Sequence, residues 1–539
     1  MKYAIGVDFG TLSARALLVS TETGAQIAEA EYVYPHGVMT DADFTGVRLQ
    51  KTDAFQHPQD YLDALEYVVN KVLEGIDPGA VAGIGIDFTA CTALPVTEDG
   101  TPLCFLPEFQ NQPQAYAKLW KHQSAQKEAD DITALAKKEN KAWLGTYGGK
   151  ISPEWYFPKL LETYRKAPDV FSACHRFMEA GDWLTWLLTG NEIKSSCMAG
   201  YKAIWDHETG FPENEFWEKV EPGFGGIIGT KVCENVGATG TNAGGINAYG
   251  NKLTGLKEGT AVAIPIIDAH AALPAAGIAK DGKLMLIVGT SACHIVMSKK
   301  NQDVSGISGR VFNGVIPGLT AYESGQAATG DSFDWFVKNC VPASYAQQAE
   351  KEGKNLFGYL TEKAEALEVG ESGLLALDWW NGNRCPYSDG ELSGLILGLN
   401  LRTRPEEIFR AILESTAYGT KAIVDIYEKN GIAIDEVYAA GGIAQKNAFL
   451  MQMYADVLGK PIHISPCAQA GAIGSAIFAA AAGGAYESTT AAVTAMAEPY
   501  KVTYTPDPQR TSQYEKLYRA YLEVSEFFAH SNVMKDLRK

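Results

Sequence analysis

Two stretches limit what this chain can fold into more than any others: GVDFGTLSAR (residues 6–15) and its echo IVGTSACHIVMS (287–298). Each is an apolar strand that turns at Gly-Thr and returns as a second apolar strand, as a tight hairpin requires. The segments downstream of the two hairpins also correspond. After the first come a strand-like run, AQIAEAEYV (25–33), and then DYLDALEYVVNKVLEG (60–75), with Leu62, Leu65, Val68, Val69 and Val72 at helical spacing. The buried-strand pattern VAGIGIDF (81–88) closes that set. After the second, the helical RPEEIFRAILESTAYGTKAIVDIYEKNG (404–431) leads into a strand and glycine turn, EVYAAGGIAQKN (436–447). A shared order of hairpin, helix and strand predicts a duplicated mixed α/β domain with a ligand cleft between the copies.

At 539 residues the chain exceeds what one core supports. The boundary is expected within GLKEGTAVAIP (255–265), giving domains 1–262 and 263–539. SQYEKLYRAYLEVSEFF (512–528) reads as a last helix packing on a core. A net charge of −18 argues against nucleic acid and anionic membranes, which need basic surface, but leaves room for a local phosphate site. The nine cysteines, Cys467 among them, are scattered without a C-x-x-C pair, as reduced cytosolic thiols are. The N-terminus enters a strand at once, and IFAAAAGGA (477–485) is too short and glycine-rich to span a bilayer. The expectation is a soluble cytoplasmic protein.

A Gly-Thr turn can aim backbone N–H groups and a hydroxyl at a phosphate. Gly10-Thr11 and Gly289-Thr290-Ser291, one from each repeat, would grip one polyphosphate from two sides. Asp8 would repel it unless a divalent cation, ordinarily magnesium, sat between them. Taken alone, either turn reads as a plain hairpin with a solvated Asp and Thr. Asp8-Phe9-Gly10 is not the protein-kinase triplet, because no glycine-rich loop or H-R-D segment precedes it. GIAKDGKL (277–284) misses a P-loop by placing Leu284 where Ser or Thr must hold magnesium. Dinucleotide, nucleophile-elbow and H-E-x-x-H signatures are absent from the sequence. In IPIIDAHAAL (264–273), Asp268 ends an apolar run at the expected junction. It reads either as a general base for an attacking hydroxyl, worth ~10²–10⁴ in rate, or as the N-cap of the next helix.

Together these segments resemble the FGGY family of carbohydrate kinases over nearly the whole chain. The two hairpins are similar to that family's phosphate hairpins. GGIAQKNAFLMQMYADVLGKPI (441–462) resembles its adenosine-side signature, SPEWYFPKLLE (152–162) its N-terminal signature, and NRCPYSDGELSGLILGLN (383–400) another shared block. The resemblance implies an actin-like, duplicated ribonuclease-H fold, with ATP and Mg2+ as cofactors. Within the family, GIDFTACTALPV (85–96) replaces the Gln-Met-His loop of xylulose kinases and the Arg-Glu pair of glycerol kinases. GYKAIW (200–205) and WWNGNR (379–384) resemble segments of members acting on L-ribulose. The implied reaction is ATP-dependent phosphorylation of that sugar's terminal hydroxyl, giving L-ribulose 5-phosphate and ADP in arabinose catabolism. A sugar and ATP would be the small-molecule partners, and the chain a homo-oligomer, a dimer.

Carried over by position, the resemblance makes Asp268 the base and Asp8 the magnesium anchor. Gly10, Thr11, Ser13, Arg15, Gly289 and Thr290 would face the phosphates, and Gly330, Gly442, Gln445 and Asn447 the nucleotide. Ala90, Lys202, Asp268 and Glu323 would meet the sugar. The residues themselves leave alternatives: Lys202 as a solvated loop cation, Glu323 as a helix cap, Gly330 and Gly442 as packing glycines. Two other functions also stay open. One is a kinase of D-ribulose, xylulose or a polyol; the other is an actin-like ATPase working as chaperone or filament.

Overall fold

Alternation and glycine breaks in residues 3–33 fold as a meander of β1 (Tyr3–Phe9), β2 (Ser13–Ser20) and β3 (Gln26–Val33). The hairpin pairs Phe9 with Ala14 across Gly10, whose N–H donates to Ser13 O at 3.0 Å. Helix α1 (Pro58–Val72) starts on a proline, which needs no N–H there, behind His57, whose side chain caps Gln59 N–H. It leads to β4 (Val81–Phe88), buried at every residue and parallel to β1. Three later strands complete this sheet: β5 (Asn242–Gly245), β6 (Ala261–Ala263) and β7 (Ile266–Ile267), the last pairing with β4 and running into α2 (Asp268–Ala275). The path is β5-β6-β4-β1-β2-β3. The computed structural model describes residues 2–466, 469–500 and 502–537; Cys467 lies outside them.

The second sheet contains β8 (Gly282–Val288), β9 (Ala292–Ser298), β10 (Gly309–Phe312) and β11 (Thr320–Gln326). After α3 (Pro405–Lys429) it gains β12 (Ile434–Ala440), β13 (Ile462–Ile464) and β14 (Val502–Tyr504). Its order is β10-β11-β9-β8-β12-β13-β14. The segment β11-β9-β8-β12 repeats β3-β2-β1-β4: two antiparallel pairings, then a parallel strand delivered by a helix. This is the duplication that the paired hairpins predict.

The halves are joined by α4 (Ala470–Ala482), which leaves the second half of the chain and lies on the first sheet. Its backbone comes so near that side chains are excluded beneath it. A Cβ on Gly6 would sit 1.8 Å from Ala472 O, one on Gly85 2.1 Å from Ser475 O, and one on Gly83 2.5 Å from Ala479 O. On its other side α4 meets α2, where a Cβ on Gly474 would be 2.0 Å from Ala271 O. The chain's last long helix, α5 (Pro508–His530), buries Tyr514, Tyr518 and Tyr521 against the core around the second sheet. Tyr521 OH donates to Asp378 Oδ1 at 2.7 Å.

A separate core fills a side lobe built on a four-stranded sheet of Phe55–Gln56, Ala117–Lys118, Ala93–Val96 and Arg176–Glu179. This lobe backs the loop that leaves β4. Among the described residues the cysteines form no disulfide, and no helix is long and apolar enough to cross a membrane.

Gly6→Ala should lower stability by about 3 kcal/mol or more, because the methyl meets rigid backbone rather than a yielding side chain. Gly145→Ala, with nothing within 4 Å of the added Cβ, should melt with the wild type in the same thermal denaturation series.

Candidate active site

Parallel pairing places three aspartates at one edge of the first sheet. Asp8 of β1 is in register with Asp87 of β4, Ile266 of β7 pairs with Asp87, and the chain then continues into Asp268. Asp87 is fully buried: its Oδ2 accepts from Ser475 Oγ of α4 at 2.7 Å, and its Oδ1 has no hydrogen-bond partner. A Cβ on Gly471 of α4 would lie 2.9 Å from Asp87 Oδ1 and 3.1 Å from Asp8 Oδ2, so that glycine leaves room for the pair. Burial, and then the charge of Asp8, push the Asp87 carboxyl far above the usual carboxylate range. Burial also raises Asp8, against the opposing influence of Asp87 and the nearby Arg15.

Asp268 opens α2, but the N-cap is Ile267, so the cap reading does not describe it. Its Oδ1 instead accepts from Ala269 N–H at 2.6 Å. Burial raises the carboxyl to about 7; the Ala269 N–H and Lys202 oppose the shift, and Asp8 adds to it. It therefore feels both the aspartate pair and a second group of charges.

That second group is built on Lys202, Glu323 and His270. Glu323 lies within β11 rather than at a helix start, in register with Ile295 of β9. Its Oε1 is 3.7 Å from Lys202 Nζ, and its Oε2 is 3.2 Å from His270 Nε2. Burial would raise Glu323, but Lys202, His270 and Arg384 outweigh it and hold the carboxylate well below its ordinary range. Burial would likewise lower Lys202, yet Glu323 raises it. Lys202, which ends the helix Ser196–Lys202, lies near the rings of Trp155 and Tyr201. Its side chain is only 17% exposed, unlike a solvated loop cation. Ala90 sits half-buried in the loop after β4.

The two Gly-Thr turns have their own supports. Thr11 accepts from Trp120 Nε1 through its hydroxyl at 3.1 Å and from Gln56 Nε2 through its carbonyl at 2.6 Å. Ser13 and Arg15 both donate to Glu31 of β3, at 3.0 and 2.7 Å. On the second sheet, Gly289 O accepts from Gly330 N–H at 3.0 Å, and the exposed Thr290 accepts from Thr329 N–H at 2.8 Å. A Cβ on Gly330 would lie 2.6 Å from Gly289 O, and one on Gly441 (φ 97°) 2.4 Å from Val288 O. These glycines let three backbone segments converge. Gly442 is open, and Gln445 is exposed. Asn447 is buried; its Oδ1 caps Leu450 N–H, and its Nδ2 has no partner.

Asp87, His270 and Arg384 belong to these groups, although sequence motifs alone do not mark them as site residues. A signal for Asp87 existed: Gly-Val-Asp-Phe of β1 and Gly-Ile-Asp-Phe of β4 share one pattern.

The N-terminal domain of the FGGY family of carbohydrate kinases matches residues 3–274, and the C-terminal domain of that family matches 284–483. A ribulokinase from Bacillus licheniformis is 44% identical over 98% of this chain and 97% of its own length. One from Mycolicibacterium smegmatis is 44% identical over 100% and 96%. Among solved structures, the xylulose kinase from Rhodospirillum rubrum superposes with a TM-score of 0.80 at 23% identity, covering 98% of this chain and 100% of that one. Plasmodium falciparum glycerol kinase with ADP gives 0.74 at 16% identity, covering 97% and 98%. These structures share the actin-like, ribonuclease-H-like fold whose doubled topology is described above. With both family domains matched in order along the sequence, the chain belongs to the FGGY family of carbohydrate kinases.

Proposed function

We propose that this chain is an ATP-dependent ribulose kinase that moves the γ-phosphoryl group of ATP to the terminal hydroxyl of L-ribulose, giving L-ribulose 5-phosphate and ADP. The observation that carries this reading is Asp268, a half-buried carboxyl raised to about 7 that responds to both Asp8 and Lys202. The ribulokinases that are 44% identical over almost the full chain support the choice of sugar.

Phosphoryl transfer asks for positioning and charge stabilisation more than covalent chemistry. Asp268 takes the proton of the attacking hydroxyl, and its raised basicity suits it to that role near neutral pH. Lys202, Glu323 and Ala90 hold the sugar. Gly10, Thr11, Ser13 and Arg15 on one hairpin, with Gly289 and Thr290 on the other, face the phosphates; backbone N–H groups there stabilise developing charge. Gly330, Gly442, Gln445 and Asn447 form the nucleotide side. The aspartate pair fits a divalent cation, because Asp87 Oδ1 is buried without a partner and Asp8 stands in register beside it. Asp8, with Asp87, would hold magnesium, which when bound supplies positive charge between carboxylates and phosphates.

ADP release measured with L-ribulose, D-ribulose, D-xylulose and glycerol tests the reading: kcat/KM should be highest for L-ribulose. Equal ADP release without any sugar would point instead to an actin-like ATPase.

Asp268→Asn should reduce kcat by ~10²–10⁴ with little change in KM for ATP; near-native turnover at saturating sugar would remove Asp268 as base. Since the base must be ionised, wild-type kcat/KM should rise with pH through about 7, and the variant should lose that rise. Glu323→Gln removes the charge that Lys202 and His270 surround, so KM for L-ribulose should rise by about tenfold or more, while KM for ATP holds.

A stability test probes the aspartate pair independently. A carboxyl whose folded pKa is raised stabilises the fold when protonated and loses that contribution as pH rises. Asp87→Asn should therefore raise the melting temperature of the metal- and nucleotide-free protein more at pH 8 than at pH 5. A variant that melts lower at both would refute the electrostatic account.

A further inference from the structure

Lys159 lies on the helix Tyr156–Lys166, inside the SPEWYFPKLLE block to which the reaction assigns no task. Its side chain is fully buried, and Nζ donates to Cys91 O at 2.6 Å and Leu119 O at 2.9 Å. A buried ammonium normally either pairs directly with a carboxylate or gives way to an apolar residue that packs at lower cost. Here both acceptors are main-chain carbonyls. The nearest carboxyl influence is the buried Glu179, which burial pushes up to about 7 against the charges of Lys194 and Lys159. The helix turn is itself held, because Lys118 Nζ donates to Lys159 O at 2.7 Å.

Cys91 belongs to the loop Thr89-Ala90-Cys91-Thr92, which leaves β4 one residue beyond the aspartate edge. Three of the four are pinned and buried. Thr89 N–H donates to Phe9 O at 3.2 Å, tying the loop to the residue before Gly10. The hydroxyls of Thr89 and Thr92 bond one another at 2.7 Å, and Thr92 O accepts from Ala180 N–H at 2.7 Å. Cys91 holds φ at 54°, a left-handed conformation that non-glycine residues avoid unless surroundings enforce it. Thr89, Cys91 and Thr92 are 4%, 2% and 0% exposed, and Ala90 alone is only half-buried.

We propose that Lys159 is a positioning residue for sugar recognition: by holding the Cys91 carbonyl in its strained turn, it fixes where Ala90 stands and so which sugars fit. This rests on the sugar-kinase reading, in which Ala90 meets the substrate. Losing the ammonium leaves the Cys91 carbonyl unpaired in a dry interior and frees the turn to relax, moving Ala90, whereas the turn hydrogen bonds of the two hairpins, Gly10 N–H to Ser13 O and Gly289 N–H to Ser291 O, involve none of these atoms.

Initial rates for wild type, Lys159→Met and Thr92→Val, each checked for folding by thermal melting, test this with L-ribulose, D-ribulose and D-xylulose. Thr92→Val cuts the Thr89–Thr92 clasp with almost no change of shape. Both variants should raise KM for L-ribulose by about tenfold, change KM for ATP by less than about twofold, and narrow the preference for L-ribulose. A lower kcat with wild-type sugar KM and preference marks Lys159 as merely structural and overturns the proposal. If Lys159→Met does not fold, Thr92→Val decides, and a wild-type sugar KM there overturns it equally. A wild-type chain that phosphorylates none of these sugars overturns the kinase reading, and this proposal with it, and that failure is seen before any variant is compared.

Discussion

The architecture depends on the seating of α4 against β1 and β4. Helix backbone touches sheet backbone at Gly6, Gly83 and Gly85, a contact closer than packed side chains permit. Such an approach leaves no room for water, and it covers the aspartate edge: Ser475 and Gly471 of that helix lie directly on Asp87 and Asp8. Asp87 is fully buried in this seam, with the half-buried Asp8 in register beside it. The cost of bringing them there is what makes the site receptive to positive charge. Packing and chemistry are therefore one feature at this seam.

The same helix explains why a duplicated chain behaves as one machine rather than two beads. α4 lies between β13 and β14 of the second sheet in sequence but completes the core of the first, and α2, which carries Asp268, is wedged against it at Gly474. This pair of helices is one of the contacts between the halves, beside Tyr201 OH to Ala321 O and Ser196 Oγ to Asn313 O. Domain closure around a ligand, the usual use of a two-lobed cleft, would thus be felt at Asp268. Glu323 reaches the same region from β11 of the other sheet and meets Lys202 of the helix Ser196–Lys202 and His270 of α2. The charges proposed to meet the sugar are assembled from elements of both sheets' halves and depend on how these are set.

Legibility in the sequence followed the range of the interactions. The hairpins, α1 and α3 were readable because a turn residue and a 3.6-residue or two-residue period are local signals. Asp8 and Asp268 stood out as acids ending apolar runs. Asp87, of the same type, was hidden because its importance comes from register with Asp8 across two strands far apart in sequence, and register is a tertiary fact. The placement of α4 was hidden for a different reason. AGAIGSAIFAAAA is apolar on every face, so no stripe indicates which sheet it covers. The destination is encoded in the glycines of the receiving strands, whose gaps match small residues on the helix. Glu323 was ambiguous between cap and strand because Thr329-Gly330 starts a helix shortly after it.

These differences bear on how specificity and chemistry are divided in the fold. The reacting end is made of strand termini and tight turns, where the backbone itself supplies the geometry and glycine or aspartate is dictated at each position. The end proposed to hold the sugar is made of side chains on a helix end, a strand and a loop, supported by a lobe with its own core. A site built on converging backbone tolerates few substitutions, whereas one built on a loop leaning against a separate lobe can change occupant without disturbing the seam. The second arrangement still needs rigidity, since a loop that drifts by a fraction of an ångström loses discrimination. In this chain that rigidity is concentrated in buried polar ties around Cys91, beneath the one loop residue that is left partly uncovered.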